Sequence, residues 1–371
     1  MNKIIRVAAL GGALALALAA CGSAPEDESN PTDGGSSAAA TVDYTACMVS
    51  DEGGFDDASF NESGFKGMQQ AESELGVTIK SAESTDPGQY TTNVDSMVQQ
   101  GCNLIIGVGF ALEDAVQAAA TANPDIDFAL VDSAFSDENF APVTIDNAKP
   151  LLFNTQESSY LAGYLAAGMS KTGTVATFGG QPFPSVTIFM DGFSDGIDAY
   201  NTDNGTSVKL LGWDKAAQNG SMIGNFSDTE AGRTTTEQFI AAGADIILPV
   251  AGPVGAGSLN AASQHPGTSV IWVDSDGYLQ PANDQYKSLL LTSVMKQIQA
   301  AVFDTIKSSS SGDFSNTPYV GTLENGGVAL APFHDFESQV PAELSAKIDE
   351  LKAAIIDGSL VVDSPSANKV S

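Results

Sequence analysis

The segment Asp51–Asn61, DEGGFDDASFN, places two glycines, a run of carboxylates, an aromatic ring and an amide directly after a predicted strand at residues 42–49. Gly53 and Gly54 allow backbone conformations that a side chain would forbid. In an open α/β sheet, loops at the carboxyl ends of the strands line the ligand crevice. We therefore expect a binding loop here, with Phe60 facing the ligand at the start of a helix near residue 59.

The remaining chain alternates short apolar strands with amphipathic helices. Strands are predicted at 77–80, 103–108, 128–131, 174–178, 208–212, 246–250, 269–273, 288–294, near 321 and at 327–330. Helices are predicted at 59–75, 91–100, 112–122, 157–170, 184–199, 229–242, 255–264, 295–306 and 341–356. Such alternation is typical of parallel, doubly wound α/β sheets.

The chain is too long for one hydrophobic core, because about 330 residues remain outside its N-terminal region. We predict two α/β lobes with a cleft between them. The first lobe comprises residues 41–150 plus about 277–310, and the second comprises 151–276 plus about 320–360. The late segments are expected to cross between the lobes as hinge strands.

The N-terminal residues have the pattern of a processing signal and not that of a folded segment. Lys3 and Arg6 precede an apolar run that ends Leu-Ala-Ala before Cys21. This pattern predicts a signal peptide over residues 1–20, since the run is shorter than the ~20 residues of a membrane span. Cys21 fits the lipidated cysteine of bacterial lipoproteins, and the alternative is a secreted protein with an unmodified cysteine. Residues 21–40 are Gly/Ser/Pro-rich and acidic, which predicts a disordered tether.

The net negative charge and the scarcity of arginine argue against anionic partners and ligands. The formal net charge is −31, so nucleic acid and anionic lipid surfaces are poor partners. Arg233 is the only arginine beyond the predicted signal peptide. Carboxylates and phosphates are usually held by bidentate guanidinium groups. The composition therefore favours a neutral, polar ligand.

Cys47 and Cys102 are the only thiols besides Cys21. Cys47 falls within the first predicted strand and Cys102 just before a later one. Free cysteines are commonly buried, so two buried thiols are favoured over a disulfide. Neither their number nor their spacing indicates zinc, and no metal site is predicted.

Further motifs carry a family resemblance when they are read in order. They are Gly107–Phe110 (GVGF), Tyr160–Gly163 (YLAG), Lys171–Gly173 (KTG), Gly192-Phe193, Gly243–Asp245 (GAD), Val273–Asp276 (VDSD) and Thr292–Lys296 (TSVMK). Together with Cys21 and the opening segment, the chain resembles the basic membrane protein family of substrate-binding lipoproteins, the purine nucleoside receptor type of ATP-binding-cassette (ABC) importers. The resemblance covers nearly all of residues 42–335. It implies a type I periplasmic-binding-protein fold, whose two doubly wound lobes are joined by hinge strands and close around a ligand.

Matched by position, the resemblance and the opening segment imply a ligand site made of Asp51, Phe60, Asn61, Asp132, Phe189, Gly252, Asp274 and Lys296. Phe60 and Phe189, from opposite lobes, are expected to sandwich a purine. Asp274 would accept hydrogen bonds from the ribose hydroxyls, while Lys296 donates to their oxygens and balances its charge. Asp132 would accept from a base-edge N–H. Residues 213–226 are longer than the family pattern.

Six of these residues also have a plain structural alternative. The two phenylalanines could belong to the core, since apolar residues at helical spacing usually do. Asp51 and Asp132 could cap helices or turns. Asp274 could lie in an exposed turn, and Lys296 could be a solvated helix residue.

The sequence motifs that resemble catalytic sites lack the structural context that catalysis requires. Gly192–Gly196, GFSDG, matches the G-x-S-x-G pattern of hydrolases, with His265 and His334 downstream. That motif requires a sharp strand-to-helix turn, whereas Ser194 lies about ten residues into the helix predicted from Pro184. Residues 251–258 suggest a phosphate loop without its lysine, and Asp56 with Asp57 lacks a second acidic cluster for calcium or glycoside hydrolysis. No catalytic residue and no cofactor are predicted.

The sequence thus predicts a non-enzymatic solute-binding protein, lipid-anchored on the extracytoplasmic face of the cell membrane. It would capture a neutral nucleoside, a purine nucleoside by resemblance, and deliver it to ABC permease subunits, acting as a monomer. The same scaffold binding a sugar or a flavin-like molecule is the second hypothesis. A nucleoside hydrolase or an esterase is the third.

Overall fold

The computed structural model describes residues 42–139 and 141–368. The predicted signal peptide, Cys21 and the predicted tether lie outside these residues. Within the described ranges, none of the helices combines the length and the apolarity needed to cross a membrane.

The elements alternate as the sequence predicts. The strands are β1 (Thr45–Ser50), β2 (Thr78–Ala82), β3 (Leu104–Val108), β4 (Asp127–Val131), β5 (Ala148–Phe153), β6 (Thr174–Gly179), β7 (Lys209–Leu211), β8 (Trp213–Asp214), β9 (Asn219–Gly220), β10 (Ile246–Val250), β11 (Ser269–Asp274), β12 (Leu290–Lys296), β13 (Tyr319–Gly321) and β14 (Val328–Leu330). The helices are α1 (Phe60–Leu75), α2 (Tyr90–Gln99), α3 (Glu113–Ala122), α4 (Thr155–Met169), α5 (Pro184–Asn204), α6 (Thr229–Ala241), α7 (Gly255–Gln264), α8 (Ile298–Ser310) and α9 (Ala342–Ile356).

Two six-stranded sheets with matching topology form the cores of two lobes. The first sheet has the order β13-β5-β4-β3-β1-β2, and the second has the order β14-β12-β11-β10-β6-β7. Neighbouring strands are parallel, except that β14 runs antiparallel to β12. The central strands β1, β3, β4, β10 and β11 are buried on both faces, as expected where helices cover both sides of a parallel sheet. The predicted doubly wound α/β architecture is confirmed.

The chain crosses between the lobes, and the helix after each of the first two crossings packs on the lobe that the chain has entered. After β5 the chain enters α4, which packs against α5 of the second lobe. After β12 it enters α8, which packs against α1 of the first lobe. Gly67 of α1 makes this approach close, since a Cβ there would lie 2.6 Å from the carbonyl oxygen of Gln299. The third crossing joins β13 of the first sheet to β14 of the second.

The G-x-S-x-G motif is a helix-packing feature. Gly192 and Gly196 lie on α5 against the backbone of α4, where a Cβ on either glycine would overlap a carbonyl oxygen of α4. Ser194 lies in the middle of α5 and is only half-buried, and His265 is exposed after α7. The strand-to-helix turn of a hydrolase elbow is therefore absent at Ser194.

Several sequence predictions differ from the structure. Strand β5 was not predicted; it contains Pro150, which cannot donate to a sheet ladder. Lys296 ends strand β12, whereas a helix was predicted from residue 295. Of the range 277–310 assigned to the first lobe, β12 pairs in the second sheet and only α8 packs on the first lobe.

The two cysteines form a disulfide, so the preference for two free thiols was wrong. Cys47 lies in β1 and Cys102 in the turn before β3, with their Cα atoms 6.0 Å apart. Because β1 pairs directly with β3, the turn brings the two sulfurs together. Both residues are buried in one apolar cluster with α2 and α3. The expectation that these cysteines are buried therefore could not distinguish two free thiols from a disulfide.

Candidate ligand-binding site

The carboxyl ends of the strands in both sheets face one cavity of about 520 Å³, part of which is its open mouth. All eight residues predicted from the sequence line it. The remaining lining residues are Glu52, Asp57, Gly109, Phe110, Phe183, Ser185, Val186, Phe226, Val250, Ala251, Pro253 and Val273.

The lobes meet in a buried ion cluster at the centre of the cavity. The Lys296 ammonium contacts Asp132 Oδ2 of the first lobe and lies 3.6 Å from Asp274 Oδ1 of the second. Asp132 directly follows β4 and Asp274 ends β11, which occupy the same position in their sheets. Both aspartates have positive φ, 65° and 67°, a region that non-glycine residues rarely adopt and that is often found at functional sites. Asp274 is buried and so does not lie in the exposed turn that was its structural alternative.

Two aromatic rings from opposite lobes face the same ammonium. Lys296 Nζ is 5.4 Å from the ring centroid of Phe60 and 4.6 Å from that of Phe189, within the range of cation–π attraction. Phe60 begins α1 and is partly exposed to the cavity. Phe189 is 1% exposed, so most of its surface packs in the core of the second lobe. Of the two rings, Phe60 presents the larger free surface.

The start of α1 orients an amide and a carboxylate at one end of the cavity. Asp57 accepts hydrogen bonds from the backbone N–H groups of Ser59, Asn61 and Glu62 at 2.9–3.0 Å, so Asp57, rather than Asp51, caps this helix. Asn61 Nδ2 donates to Asp51 Oδ1 at 2.9 Å. Asn61 Oδ1 is buried without a hydrogen-bond partner among the described residues. This end of the cavity therefore presents acceptor oxygens.

Burial weakens the acidity of these carboxyl groups. Desolvation raises the pKa of Asp51 well above its ordinary value, the hydrogen bond from Asn61 opposes the rise, and Asp57, Asp132 and Glu52 add to it. Desolvation also raises the pKa of Asp57 to about 6, against the lowering effect of its three backbone donors. The pKa of Asp132 is raised by burial, which Lys296 partly offsets. Excess negative potential in the cavity disfavours anionic ligands.

Three phenylalanines that sequence reasoning did not assign to the site form a wall of the cavity. The ring of Phe183 lies 5.1 Å from that of Phe110 and 6.0 Å from that of Phe226. Phe110 belongs to the first lobe, and the other two belong to the second. Phe226 packs on Gly180, where any Cβ would overlap its ring. Each of these phenylalanines has a sequence context that could have indicated a role at the site. Phe110 ends the GVGF motif, Phe183 precedes a helix-starting proline, and Phe226 ends the long 213–226 segment.

Polar contacts join the lobes beside the cavity. Ser59 Oγ donates to Asp274 Oδ2 at 2.9 Å, and Ser275 Oγ donates to the Ala58 carbonyl at 3.3 Å. Ser227 Oγ lies 3.4 Å from Glu52 Oε1. The lobes are therefore in a closed arrangement. Gly252, with φ +52°, exposes its backbone to the cavity. Among the described residues, no cluster of acidic, histidine and cysteine side chains could hold a metal ion.

Comparison with known proteins agrees with this architecture. The family model described as "ABC transporter substrate-binding protein PnrA-like" (Bmp) matches residues 44–364. The chain is 30% identical to the ABC transporter nucleoside-binding protein BmpA of Lactococcus lactis subsp. cremoris, covering 98% of this chain and 99% of that protein. It is 31% identical to basic membrane protein A1 of Borrelia garinii subsp. bavariensis, covering 84% of this chain and 86% of that protein.

Solved structures show the same fold. An ABC transporter solute-binding protein from Aeropyrum pernix K1 superimposes with a TM-score of 0.78 at 23% identity, covering 87% of this chain and 94% of that one. The expected type I periplasmic-binding-protein fold is confirmed by this likeness.

Proposed function

The chain belongs to the Bmp family of PnrA-like ABC transporter substrate-binding proteins, and from this premise we propose that it captures a purine nucleoside between its lobes for an ABC importer. The nucleoside-binding relative from L. lactis supports the ligand class. The observation that carries the proposal is the buried Asp132–Lys296–Asp274 cluster, faced by aromatic rings of both lobes. A flat, uncharged ligand with hydroxyl groups fits such a site.

The ribose is assigned to Asp274 and Lys296. A carboxylate can accept from two neighbouring hydroxyl groups, and an ammonium can donate to their oxygens. Asp274 Oδ1 lies 3.6 Å from Lys296 Nζ, so a hydroxyl oxygen placed beside both would gain a donor and an acceptor. Such charge-assisted hydrogen bonds are about twice as strong as neutral ones.

The base is assigned to the aromatic and acceptor-rich parts of the cavity. Phe60 offers a partly free ring face, and base–aromatic stacking contributes ~1–3 kcal/mol per base. The base-edge acceptor expected at Asp132 is better supplied by Asp51 and Asn61, because Asp132 is engaged by Lys296 and Asn61 Oδ1 has no described partner. These acceptors suit N–H groups on a purine edge.

Calorimetry with wild-type protein and variants tests the assignment. Phe60→Ala should weaken nucleoside binding by ~1–3 kcal/mol. Wild type should discriminate strongly against a 2′,3′-dideoxynucleoside, whereas Asp274→Ala should bind the two ligands almost equally. Asp276→Ala is the matched control, because Asp276 pairs with His334 outside the cavity, and this variant should keep the wild-type preference. An unchanged preference in Asp274→Ala removes this residue from the ribose site.

Binding without turnover is the second part of the proposal. Ligand that binds only the folded state raises the melting temperature, and it should be recovered intact after incubation. Release of free base or ribose at an enzymatic rate would favour the hydrolase hypothesis. Binding of a free sugar or a flavin, with no binding of nucleosides, would favour the second hypothesis.

Anchoring through Cys21 is the third part, and it rests on the sequence pattern at residues 1–21. Wild-type protein should fractionate with membranes, and Cys21→Ala should appear in the soluble extracytoplasmic fraction. We propose that the anchored protein acts as a monomer that presents its closed form to the permease. A Cys21→Ala protein that stays with membranes through its N-terminus after its signal peptide has been cleaved would contradict lipidation at this residue.

A further inference from the structure

Residues 361–368, here called the strap, follow α9 without helix or strand and lie along α5 of the second lobe. The hydroxyls of Ser366 and Thr187 are 2.6 Å apart. The Lys215 ammonium donates to the Asp363 carbonyl at 2.6 Å. The strap is therefore held both by α5, which begins at the ligand cavity, and by the β8–β9 hairpin.

A buried carboxylate outside the ligand site anchors the strap. Asp191 on α5 is fully buried and accepts hydrogen bonds from Ser364 Oγ at 2.6 Å, Trp213 Nε1 at 2.9 Å and Gln218 Nε2 at 2.8 Å. A buried charge is costly unless such donors satisfy it. Asp191 thus requires the strap and the β8–β9 hairpin to stay in place.

The far end of the strap reaches the other lobe. Asn368 Nδ2 donates to the carbonyl of Phe153 at 2.8 Å, and Phe153 is the last residue of β5 in the first sheet. This is the point where the chain first leaves the first lobe. The strap consequently adds a non-covalent tie between the lobes beside the three covalent crossings.

The strap also forms one wall of a second cavity, of about 760 Å³ including open space, beside the ligand cavity. Strap residues 365–368 face Phe135 and Pro142 of the first lobe across it. The two cavities share Phe110, Asp132 and Ser185. The side of the cleft that the strap covers is therefore continuous with the ligand site.

We propose that the strap is a latch, anchored on the second lobe through Asp191 and tied to the first lobe through Asn368, that slows lobe opening and ligand release. The proposal rests on ligand binding between the lobes, as proposed above. Affinity differences among related complexes arise mostly in the dissociation rate. Loss of the tie should therefore appear as faster release, with a smaller change in association rate.

Two variants test the latch. Asn368→Ala removes the tie to Phe153 alone, and a stop codon after Asp363 removes the rest of the strap. Asn204→Ala is the matched control, since Asn204 is exposed and its side chain bonds to the Tyr200 carbonyl within α5. Stopped-flow displacement of a bound purine nucleoside should show about 2- to 10-fold faster release for Asn368→Ala, at least as much for the shortened chain, and the wild-type rate for Asn204→Ala.

Small-angle scattering of the ligand-free proteins separates this proposal from the ligand assignment. Both strap variants should have a larger radius of gyration than wild type, whether or not a nucleoside binds. If no nucleoside binds to wild type, the proposed function fails and scattering alone decides on the latch. The latch is refuted if Asn368→Ala has both the wild-type release rate and the wild-type radius of gyration. If the shortened chain does not fold, Asn368→Ala alone provides the test.

Discussion

Replacing Lys296 by methionine tests whether the ion cluster organises the cavity. Methionine keeps an unbranched side chain of similar length beside Phe60 and Phe189, but it removes the ammonium that Asp132 and Asp274 share. Both aspartates then remain buried without the cation that compensated their charge. Breaking a buried pair in this way typically costs ~3–5 kcal/mol in the free energy of unfolding. We expect a loss of this size at pH 7.5.

The loss should depend on pH with a definite sign. Burial already raises the pKa of Asp132, and Lys296 opposes that rise, so the pKa should rise further in Lys296→Met. A group whose pKa is higher in the folded state than in the unfolded state favours folding most at low pH, and this contribution is lost as pH rises through the folded-state pKa. The difference between variant and wild type should therefore be small near pH 4 and reach its full size above the raised pKa.

Urea unfolding across this pH range measures the effect. Lys347→Met is the control, because Lys347 pairs with Glu350 on the surface at 2.9 Å, and such pairs contribute only ~0–1 kcal/mol. Asp132→Asn combined with Lys296→Met should recover part of the lost stability by removing one uncompensated carboxylate. A Lys296→Met protein as stable as wild type at pH 7.5, or equally destabilised at every pH, would refute the reasoning.

Three further predictions follow from other features. The pKa of Asp57, raised to about 6, should make wild-type stability fall by up to ~3 kcal/mol as pH rises through 6, and Asp57→Asn should flatten the pH profile in urea unfolding; equal slopes would exclude Asp57 as the source. The Cys47–Cys102 disulfide closes a loop with a sequence separation of 55, so its reduction should cost ~4 kcal/mol by the loop-entropy model; thermal melting should shift with reductant in wild type and stay unchanged in the double alanine variant. Gly196→Ala should lower the free energy of unfolding by ~1–3 kcal/mol or more through overlap with the α4 backbone, whereas Ser194→Ala on the same helix should be near neutral in denaturant unfolding and in nucleoside binding; equal effects of the two would contradict the packing role.

Sequence reasoning located the site from the opening segment and from the family resemblance. The opening segment follows a strand, where loops line the ligand crevice of an α/β sheet, and the resemblance supplied Asp132 and Asp274. The structure places Asp51, Asp132 and Asp274 at the carboxyl ends of β1, β4 and β11 around one cavity. The resemblance also supplied Lys296, which lines the cavity, but its secondary structure was predicted wrongly. The strand predicted at 288–294 ended two residues too early, so Lys296 was assigned to the helix predicted from residue 295, whereas it is the last residue of β12.

Long-range contacts account for the features that the sequence did not predict. Phe226 reaches the cavity only because Gly180 leaves room for its ring, and these residues are far apart in the chain. The pairing of Cys47 with Cys102 depends on the neighbouring positions of β1 and β3. Phe189 was expected to be a ligand ring, yet its near-complete burial is set by the core around α5.

The crossings of the chain between the lobes determine when each lobe can fold during synthesis. As the chain emerges from the ribosome, β1–β5 and α1–α3 appear first, but the first lobe still lacks α8 and β13. Until residues 298–321 have been made, the surface of α1 around Gly67 stays uncovered. Neither lobe can therefore finish folding long before the other, and the surface of α1 that α8 covers in the folded protein stays exposed through most of translation.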